Sequence, residues 1–285
     1  MKTLAAQFPV QDLCQALAIS RTGYYAWRNR RPSDRARANA QLLLTISLLH
    51  RASHQRYGVP RIYRDLRQLG QPVGRHRIAR LMRQAGLRGV QKRSWRPRTT
   101  DSQHDHPVVP NRLKDLGPPA QINQTWVADI TYIPTAEGWL YLAAVMDLYS
   151  RRIVGWAAEP HLQTSLVKEA LRRALVDRRP APGLLHHSDR GVQYCSVEYR
   201  TLLQNHGLCA SMSATGHCYD NAAMESFWST LKTELVHRRQ WRSRAEAKLA
   251  VFEYLETFYN RRRRHSALNY QSPIDFENQL PYKHN

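Results

Sequence analysis

The segments TWVADITYIP (125–134), WLYLAAVMDL (139–148) and RIVGWAA (152–158) decide the fold of this chain. Each segment is rich in β-branched and aromatic residues, and short gaps of four and three residues separate them. Gaps of this length favour direct hairpin connections between neighbouring strands. The segments therefore predict a meander of three antiparallel strands.

Helical and strand patterns alternate after this meander. In chain order they predict a helix over 165–178, a strand over 184–188, a helix over 197–206, a short strand over 208–213, and longer helices over about 221–236 and 244–260. Three strands followed by alternating helices and strands is the chain order of a ribonuclease-H-like fold. The predicted fold class is therefore α/β with a ribonuclease-H-like core.

The first 90 residues instead predict all-α helix-turn-helix modules. Residues 7–30 have the pattern of helix, turn and helix, and residues 39–89 contain three short helices with a turn at Gly70-Gln71-Pro72. The last helix, about 75–84, buries a stripe made of Ile78, Leu81 and Met82.

Four basic side chains lie more outward on that last helix: Arg75, His76, Arg80 and Arg83. We expect Arg75, Arg80 and Arg83 to contact DNA, because a helix of this kind can enter the major groove. The alternative is a solvated basic face on an ordinary helical bundle.

The charge of the chain points to a polyanionic partner. The formal net charge is +21, and residues 1–110 carry 21 Lys and Arg against 5 Asp and Glu. Neutralising phosphates releases counterions, so nucleic acid is the leading candidate. A basic structural protein would be charged in the same way, so charge alone leaves the function open.

The four cysteines form no CxxC pair, which argues against a structural zinc site or a disulfide framework. The start lacks an apolar run of signal-peptide length, and the run Leu42–Leu49 is too short to span a bilayer. We expect a cytoplasmic protein without a membrane partner.

These patterns divide the chain into five predicted parts. They are an N-terminal helical module (1–38), a helix-turn-helix DNA-binding domain (39–90), a polar, basic and proline-containing linker (91–120), the α/β core (121–240), and a C-terminal helix with a basic tail (241–285).

Three acidic residues stand where the predicted elements would bring them together. Asp129 lies in the first strand, Asp189 follows the fourth, and Glu225 lies on a late helix. An unpaired carboxylate in an apolar strand is costly to ionise, so such residues are usually paired, protonated or bound to metal. A few hard oxygen ligands, completed by water and substrate phosphate, suit Mg²⁺ or Mn²⁺.

The helix that carries Glu225 has an apolar face with Glu225 beside it. Lys232 follows two turns later on the same edge. Glu225 could therefore hold a metal while Lys232 binds a DNA phosphate. An ordinary solvated Glu with a distant Lys is the alternative.

Five segments follow one another along the chain: TWVADITYI, LYLAAVMDLYSRRIVGW, LLHHSDRGVQY, YDNAAMESFWSTLKTEL and FYNRRRRHSALNYQSP. They resemble the motifs of integrase-type DDE transposases of the bacterial IS-three insertion-sequence family, in its downstream, OrfB-type product. The 35 residues between Asp189 and Glu225 match that family's interval, and RYGVPRIYRDLR extends the resemblance over nearly the whole chain. One departure is His217, where members commonly have asparagine.

The resemblance implies that Asp129, Asp189 and Glu225 are a metal-binding catalytic triad on a retroviral-integrase-like core. It implies action on insertion-sequence ends and target DNA, as a dimer or larger assembly associated with the bacterial nucleoid, with a possible upstream OrfA-type product or fusion. Two metal ions per site, with DNA bound, would support cleavage and strand transfer by in-line displacement at phosphorus.

Residues near the triad are weaker candidates. His187 and Arg190 flank Asp189 and could touch the scissile phosphate, although a histidine here is about as often structural. Asp147 is expected to stabilise a turn. Asp220 or Asn221 is expected to cap the Glu225 helix.

Two basic clusters are further candidates for DNA contact. One is the run Arg261, Arg262, Arg263 and Arg264, next to aromatic residues; the other is Trp95 among Lys92, Arg93 and Arg96. Solvated surface and anchoring of the linker are their respective alternatives.

Two other functions compete with transposition. A non-catalytic DNA-binding regulator would use only the helix-turn-helix modules, and a ribonuclease-H-type nuclease would hydrolyse without joining strands. A basic structural protein gives no reason for acids at these three positions.

Overall fold

The computed structural model describes residues 3–91, 109–113, 117–213 and 221–280. The chain divides into two compact units, Met1–Gly89 and Val90–Asn285, each described by itself. The predicted linker cluster of Lys92, Arg93, Trp95 and Arg96 lies outside the described residues, as do His217 and Asp220.

The first unit is helical in the part that the structure describes, as the sequence predicts. It contains a 3-10 turn at Leu4–Ala6, α1 (Val10–Ala16), α2 (Arg21–Arg28), α3 (Asp34–Ala52), α4 (Val59–Gln68) and α5 (Arg75–Gln84). The hydroxyls of Ser20 and Ser33 accept hydrogen bonds from the first turns of α2 and α3, which satisfies amides that a helix leaves unpaired.

Helices α3, α4 and α5 share one apolar core. Its fully or nearly fully buried members are Leu42, Ile46, Ile62, Leu66, Ile78, Leu81 and Met82. The turn between α4 and α5 contains Gly70 at a φ of +72°, a left-handed conformation that glycine adopts without steric cost. The predicted buried stripe of the third helix is confirmed.

The second unit is built on a five-stranded mixed sheet. Its strands are β1 (Thr125–Thr135), β2 (Gly138–Asp147), β3 (Ile153–Glu159), β4 (Leu185–Ser188) and β5 (Cys209–Met212), in the spatial order β3-β2-β1-β4-β5. The first three strands pair antiparallel, and β4 and β5 add parallel to β1. The predicted meander and ribonuclease-H-like order are confirmed.

Helices surround this sheet. They are α6 (Thr164–Arg178), α7 (Val192–Cys195), α8 (Val197–Asn205), α9 (Ala222–Glu234), α10 (Arg244–Phe252) and α11 (Pro273–Asn278), with 3-10 turns at Val236–Arg238 and Ser266–Leu268. Helix α6 packs directly on β3 at Gly155, where an added Cβ would collide with the backbone of Ala170 and Ala174. Only glycine permits this close approach of helix and strand.

The helix predicted over 244–260 is present over 244–259, but its type changes along its length. Helix α10 ends at Phe252, and Glu253–Tyr259 continue as a π-helix, which places more residues in each turn. The wider turn ends at Asn260, whose side chain accepts a hydrogen bond from Ile153 N at 3.0 Å and donates one to Ile153 O at 2.9 Å. The π segment therefore tethers the C-terminal region to β3, an edge strand of the sheet.

Within the residues that the structure describes, we find no helix with both the length and the apolar character needed to cross a bilayer.

Candidate active site

Strand register places two predicted site residues side by side. Strands β1 and β4 are parallel, and Val127 is the register partner of His187. Asp129 and Asp189 each lie two residues further along, Asp129 within β1 and Asp189 just after the end of β4. Because neighbouring strands lie about 4.8 Å apart, the two carboxyl groups lie close together on the sheet.

The carboxylate of Asp129 is held at both oxygens. Its Oδ1 accepts a hydrogen bond from Ile130 N at 2.8 Å, and its Oδ2 accepts one from Trp228 Nε1 at 2.9 Å. The first donor is local, whereas Trp228 belongs to α9. The orientation of Asp129 therefore depends on how α9 is placed against β1.

Electrostatics links Asp129 to the other two acids. Burial, and next the charge of Asp189, raise the pKa of Asp129 to about 7, with a further contribution from Glu225. The hydrogen bonds from Ile130 and Trp228 oppose this rise. Glu225 lies in the first turn of α9 with its side chain exposed.

The described residues contain no group of three or more His, Cys, Asp and Glu side chains placed to hold a metal ion. Asp129 and Asp189 are neighbours across β1 and β4. Glu225 is near enough to act electrostatically on Asp129, but in this conformation it does not complete a set of three metal ligands. Like charges repel, and the exposed side chain of Glu225 can adopt other rotamers.

The residues present fit a hard divalent cation. Two neighbouring half-buried carboxyl groups are unfavourable as anions, and a divalent cation would remove that cost. All the candidate donors are oxygens, which Mg²⁺ and Mn²⁺ prefer. Asp129, Asp189 and, after a rotamer change, Glu225 are the residues that would hold it.

Lys232 lies beside this site. Its Nζ is 5.2 Å from the centroid of the Tyr132 ring, and Asp129 acts on it electrostatically. Burial lowers the pKa of Lys232, and the charge of Asp129 opposes that shift. Lys232, which the sequence places on the same edge of the helix as Glu225, is therefore close to the candidate site.

The residues that flank Asp189 are held by β5 and the residue after it. His187 is fully buried, with Nδ1 2.9 Å from Ser211 Oγ and Nε2 3.1 Å from Ser213 Oγ. Both ring nitrogens of His187 are thus hydrogen-bonded within the protein, which favours a structural role over contact with the scissile phosphate. Arg190 is half-buried, and its Nε donates to Ser213 O at 2.7 Å.

Asp147 and Asn221 have different outcomes. Asp147 is fully buried and accepts hydrogen bonds from the backbone amides of Asn123, Tyr149 and Ser150, which confirms a turn-stabilising role. Asn221 occupies the N-cap position of α9, but its side chain makes no capping bond. The predicted cap is therefore wrong for the Asn221 side chain.

The basic run at 261–264 is not one surface. Arg261 and Arg262 are exposed, whereas Arg263 is 6% exposed and binds Glu234 through Nε and Nη2. Arg264 is half-buried and donates from Nη1 to Tyr270 O. We therefore correct the predicted DNA contact at Arg263, because its guanidinium is buried against a carboxylate.

On helix α5, the side chains of Arg75, Arg80 and Arg83 are exposed as predicted. The guanidinium carbon of Arg75 lies 4.9 Å from the centroid of the Tyr63 ring. Arg77, on the same helix, instead donates to Asn39 Oδ1 at 2.8 Å. Arg77 is thus a structural residue, whereas the other three side chains face solvent.

Trp228 is the residue of this site that sequence reasoning missed. Its place on the apolar face of α9, three residues after Glu225, indicates a core residue. The missed signal is its indole N–H, which a buried tryptophan usually donates to a partner. In this chain that partner is Asp129.

Trp228→Phe should weaken the binding of Mn²⁺ by about 10- to 100-fold, the usual cost of removing a hydrogen bond that orients a metal ligand. Electron paramagnetic resonance of free Mn²⁺ measures this directly. Trp241→Phe is the matched control, because Trp241 is also buried but donates to Val236 O. Equally weakened binding in the two variants, or unchanged binding in Trp228→Phe, would contradict the assignment.

The fold and the paired acids define a class of protein, an integrase-type core of the ribonuclease-H-like fold. Family models agree with this class: "Integrase core domain" matches residues 119–218 and 206–273, and "HTH-like domain" matches residues 36–95.

Relatives of nearly the same length define the family. The chain is 47% identical over 93% of its length to an uncharacterized 31 kDa protein of insertion element IS600 from Shigella sonnei, covering 97% of that protein. It is 40% identical over 96% of its length to "Transposase InsF for insertion sequence IS3A" of Escherichia coli strain K12, covering 95% of it. The chain belongs to the IS3 family of insertion-sequence transposases.

Solved retroviral structures are more distant. A simian T-cell lymphotropic virus intasome in complex with a PP2A regulatory subunit has 14% identity and a TM-score of 0.49, over 84% of this chain and 76% of that one. The HTLV-2 integrase catalytic core with magnesium has 12% identity and a TM-score of 0.43, over 55% of this chain and 98% of that one.

Proposed function

We propose that this transposase performs divalent-metal-dependent cleavage and strand transfer at the ends of its insertion sequence, with Asp129, Asp189 and Glu225 as the catalytic triad. The observation that carries the proposal is the placement of Asp129 within β1 and of Asp189 just after the neighbouring parallel strand β4, with Glu225 acting electrostatically on Asp129. Such a cluster of acids destabilises the folded protein unless a cation binds to it.

Two Mg²⁺ or Mn²⁺ ions, when bound together with DNA, would supply activation of the attacking oxygen and stabilisation of the leaving one. The chain's residues have their own roles. The N–H groups of Ile130 and Trp228 hold Asp129 in one orientation and favour its ionised form. Lys232 is suited to bind a phosphate beside the reacting bond, and Arg190 one next to Asp189.

The proposed chemistry has two displacements at phosphorus. Water attacks the phosphodiester at an element end and gives a proton to solvent. The bond to the 3′ oxygen breaks, and that oxygen takes a proton from solvent, which leaves a 3′-hydroxyl and a 5′-phosphate. That hydroxyl then attacks a phosphodiester of the target, whose own 3′ oxygen leaves. Each step breaks one P–O bond and forms one, without a covalent protein intermediate.

The experiment that tests the function incubates the purified chain with labelled element-end DNA and Mg²⁺ or Mn²⁺. We expect cleavage and strand-joined products that a chelator abolishes. A regulator without catalysis would give DNA binding and no products. A hydrolase would cut an RNA–DNA hybrid and never join strands.

The proposed partners are the element ends and target DNA, bound by a homo-oligomer, since two ends must be paired for transposition. An upstream OrfA-type product or fusion would supply further end recognition. We assign DNA binding in the first unit to Arg75, Arg80 and Arg83, and in the second to Arg190, Lys232, Arg261, Arg262 and Arg264.

The exposed arginines of α5 should determine how strongly binding depends on salt. Replacing Arg75, Arg80 and Arg83 together by Ala should reduce the slope of log K against log salt concentration by about 0.9 for each phosphate that the variant no longer neutralises. Fluorescence anisotropy at several salt concentrations measures that slope. Arg77→Ala, which removes the bond to Asn39, should leave it unchanged, and an unchanged slope in the triple variant would contradict the assignment.

A further inference from the structure

The β1–β2 hairpin has a large exposed aromatic side chain near the candidate active site. Trp139, in β2, is 48% exposed, whereas Trp126, Trp156, Trp228 and Trp241 of the same unit are at most 7% exposed. Exposing that much apolar surface to water costs free energy. Because Phe252 of the same unit is 49% exposed as well, it is the groups around Trp139 that indicate a ligand.

The Trp139 ring does not stand alone. It packs edge-on against the half-buried ring of Tyr132, with 4.9 Å between centroids. Tyr132 is three residues beyond Asp129 on β1, about 10 Å along the strand and with its side chain on the opposite face of the pleat, so Lys232 is what links the two. We call Trp139 and Tyr132 the aromatic shelf.

Several bonds fix the hairpin that carries the shelf. Arg244 Nε donates to Trp139 O at 3.0 Å, and Arg244 N donates to Glu137 Oε2 at 2.8 Å. Ala136 N donates to Trp241 O at 2.9 Å. The shelf is thus held in place before any ligand arrives, which lowers the entropic cost of binding.

Charge beside the shelf indicates an anionic ligand. Lys232 lies 5.2 Å from the centroid of the Tyr132 ring, and Asp129 acts on it electrostatically, so the cation lies between shelf and candidate site. Aromatic rings with an adjacent cation are what proteins use to stack nucleobases and bind their phosphates. A protein interface would need roughly 800 Å² from each partner, far more than two rings offer.

We propose that the aromatic shelf stacks an unpaired nucleobase at the end of the DNA substrate, while Lys232 binds the neighbouring phosphate. This inference rests on the proposed function and adds to it a specificity for frayed or distorted DNA ends. Stacking would hold the terminal nucleotide and keep the scissile phosphate near Asp129 and Asp189.

The test uses an element-end duplex with 2-aminopurine at its terminal position, either fully paired or mismatched over the last two pairs. Binding is measured without divalent metal, so it does not depend on turnover. Wild type should quench the 2-aminopurine fluorescence. Trp139→Ala should abolish the quenching and weaken binding of the mismatched end by roughly 5- to 100-fold, the value of one stacked base.

Two variants make the result specific. Trp139→Phe should restore most of the quenching, because phenylalanine can still stack. Phe252→Ala, which removes an exposed aromatic side chain that packs on Trp156, should change nothing. Asp129→Asn should keep the quenching, so a failure of catalysis is separable from a failure of the shelf.

Two outcomes would overturn the proposal. One is that Trp139→Ala weakens binding of internal, fully paired DNA as much as it weakens the mismatched end. The other is that Trp139→Ala leaves quenching intact but alters the sedimentation of the protein, which would assign Trp139 to contacts between copies of the chain.

Discussion

Asp129→Asn is expected to lower the rates of DNA cleavage and strand joining by ~10³-fold or more, because it removes an anionic oxygen ligand from a metal-dependent centre. Affinity for DNA should stay the same or rise slightly, since a negative charge is removed. Gel assays of cleavage and joining, with anisotropy for binding, measure both quantities. Asp189→Asn and Glu225→Gln should behave similarly, and a double variant should be little worse than a single one.

Stability distinguishes this effect from misfolding. Burial and the charge of Asp189 disfavour the ionised form of Asp129, so the neutral amide should not lower the free energy of unfolding at neutral pH. Saturating Mg²⁺ should stabilise wild type by about 2.7 kcal/mol at 100 times its Kd, and should not stabilise the variant. A variant that still cleaves DNA would remove Asp129 from the triad.

The same residue gives a pH dependence with a definite sign. The pKa of Asp129 is about 7 in the folded protein, above its ordinary value of 3.8. The metal-free folded state therefore binds more protons than the unfolded state between these values, and its stability falls as pH rises from 4 to 7. Asp129→Asn should lack this part of the pH dependence in denaturant titrations.

Asp147→Asn is the matched control for these predictions. Asp147 is also an aspartate on a strand, and it is fully buried, but its carboxylate accepts backbone hydrogen bonds at the turn after β2. Its replacement should reduce the free energy of unfolding, while each folded molecule keeps its activity. Loss of activity at full stability would show that Asp147 belongs to the chemistry.

Arg263→Met is expected to destabilise the second unit by about 3–5 kcal/mol, because it leaves the Glu234 carboxylate buried without its cation. Glu234 and Arg263 are 5% and 6% exposed, and the guanidinium makes three hydrogen bonds of 2.7 to 3.1 Å to the carboxylate. Tyr254 also donates to Glu234 at 2.9 Å. Calorimetry should show Tm falling by roughly 10 °C.

Two further variants show whether the loss of stability comes from the buried ion pair of Glu234 and Arg263. Arg262→Met, at the exposed neighbour, should change the free energy of unfolding by no more than about 0.5 kcal/mol. Arg263→Met combined with Glu234→Leu should recover much of the stability, since an apolar pair can replace a buried ion pair. A small effect of Arg263→Met alone would mean that Arg263 is not structural.

Local sequence patterns predicted most of the fold. The spacing of apolar residues gives the α3–α5 bundle, the strands β1 to β3 and the order of helices and strands that follows. The patterns could not predict the π segment at 253–259, because its wide turn is stabilised by contacts such as Asn260 on Ile153, which is distant in sequence. The patterns also could not show that Arg263 is buried and Arg262 exposed, because four successive arginines are equivalent in sequence until the fold fixes the direction of each side chain.

The sequence by itself determined that TWVADITYIP and its two following segments form a meander, and that acids stand within β1, after β4 and early in α9. Tertiary structure decided what those acids meet. The parallel register of β1 and β4 sets Asp129 beside Asp189, and the placement of α9 brings Trp228 onto Asp129. The reason is physical: periodicity records which face of an element is apolar, a local property, whereas the pairing of donors and acceptors depends on register and helix placement between segments far apart in the chain.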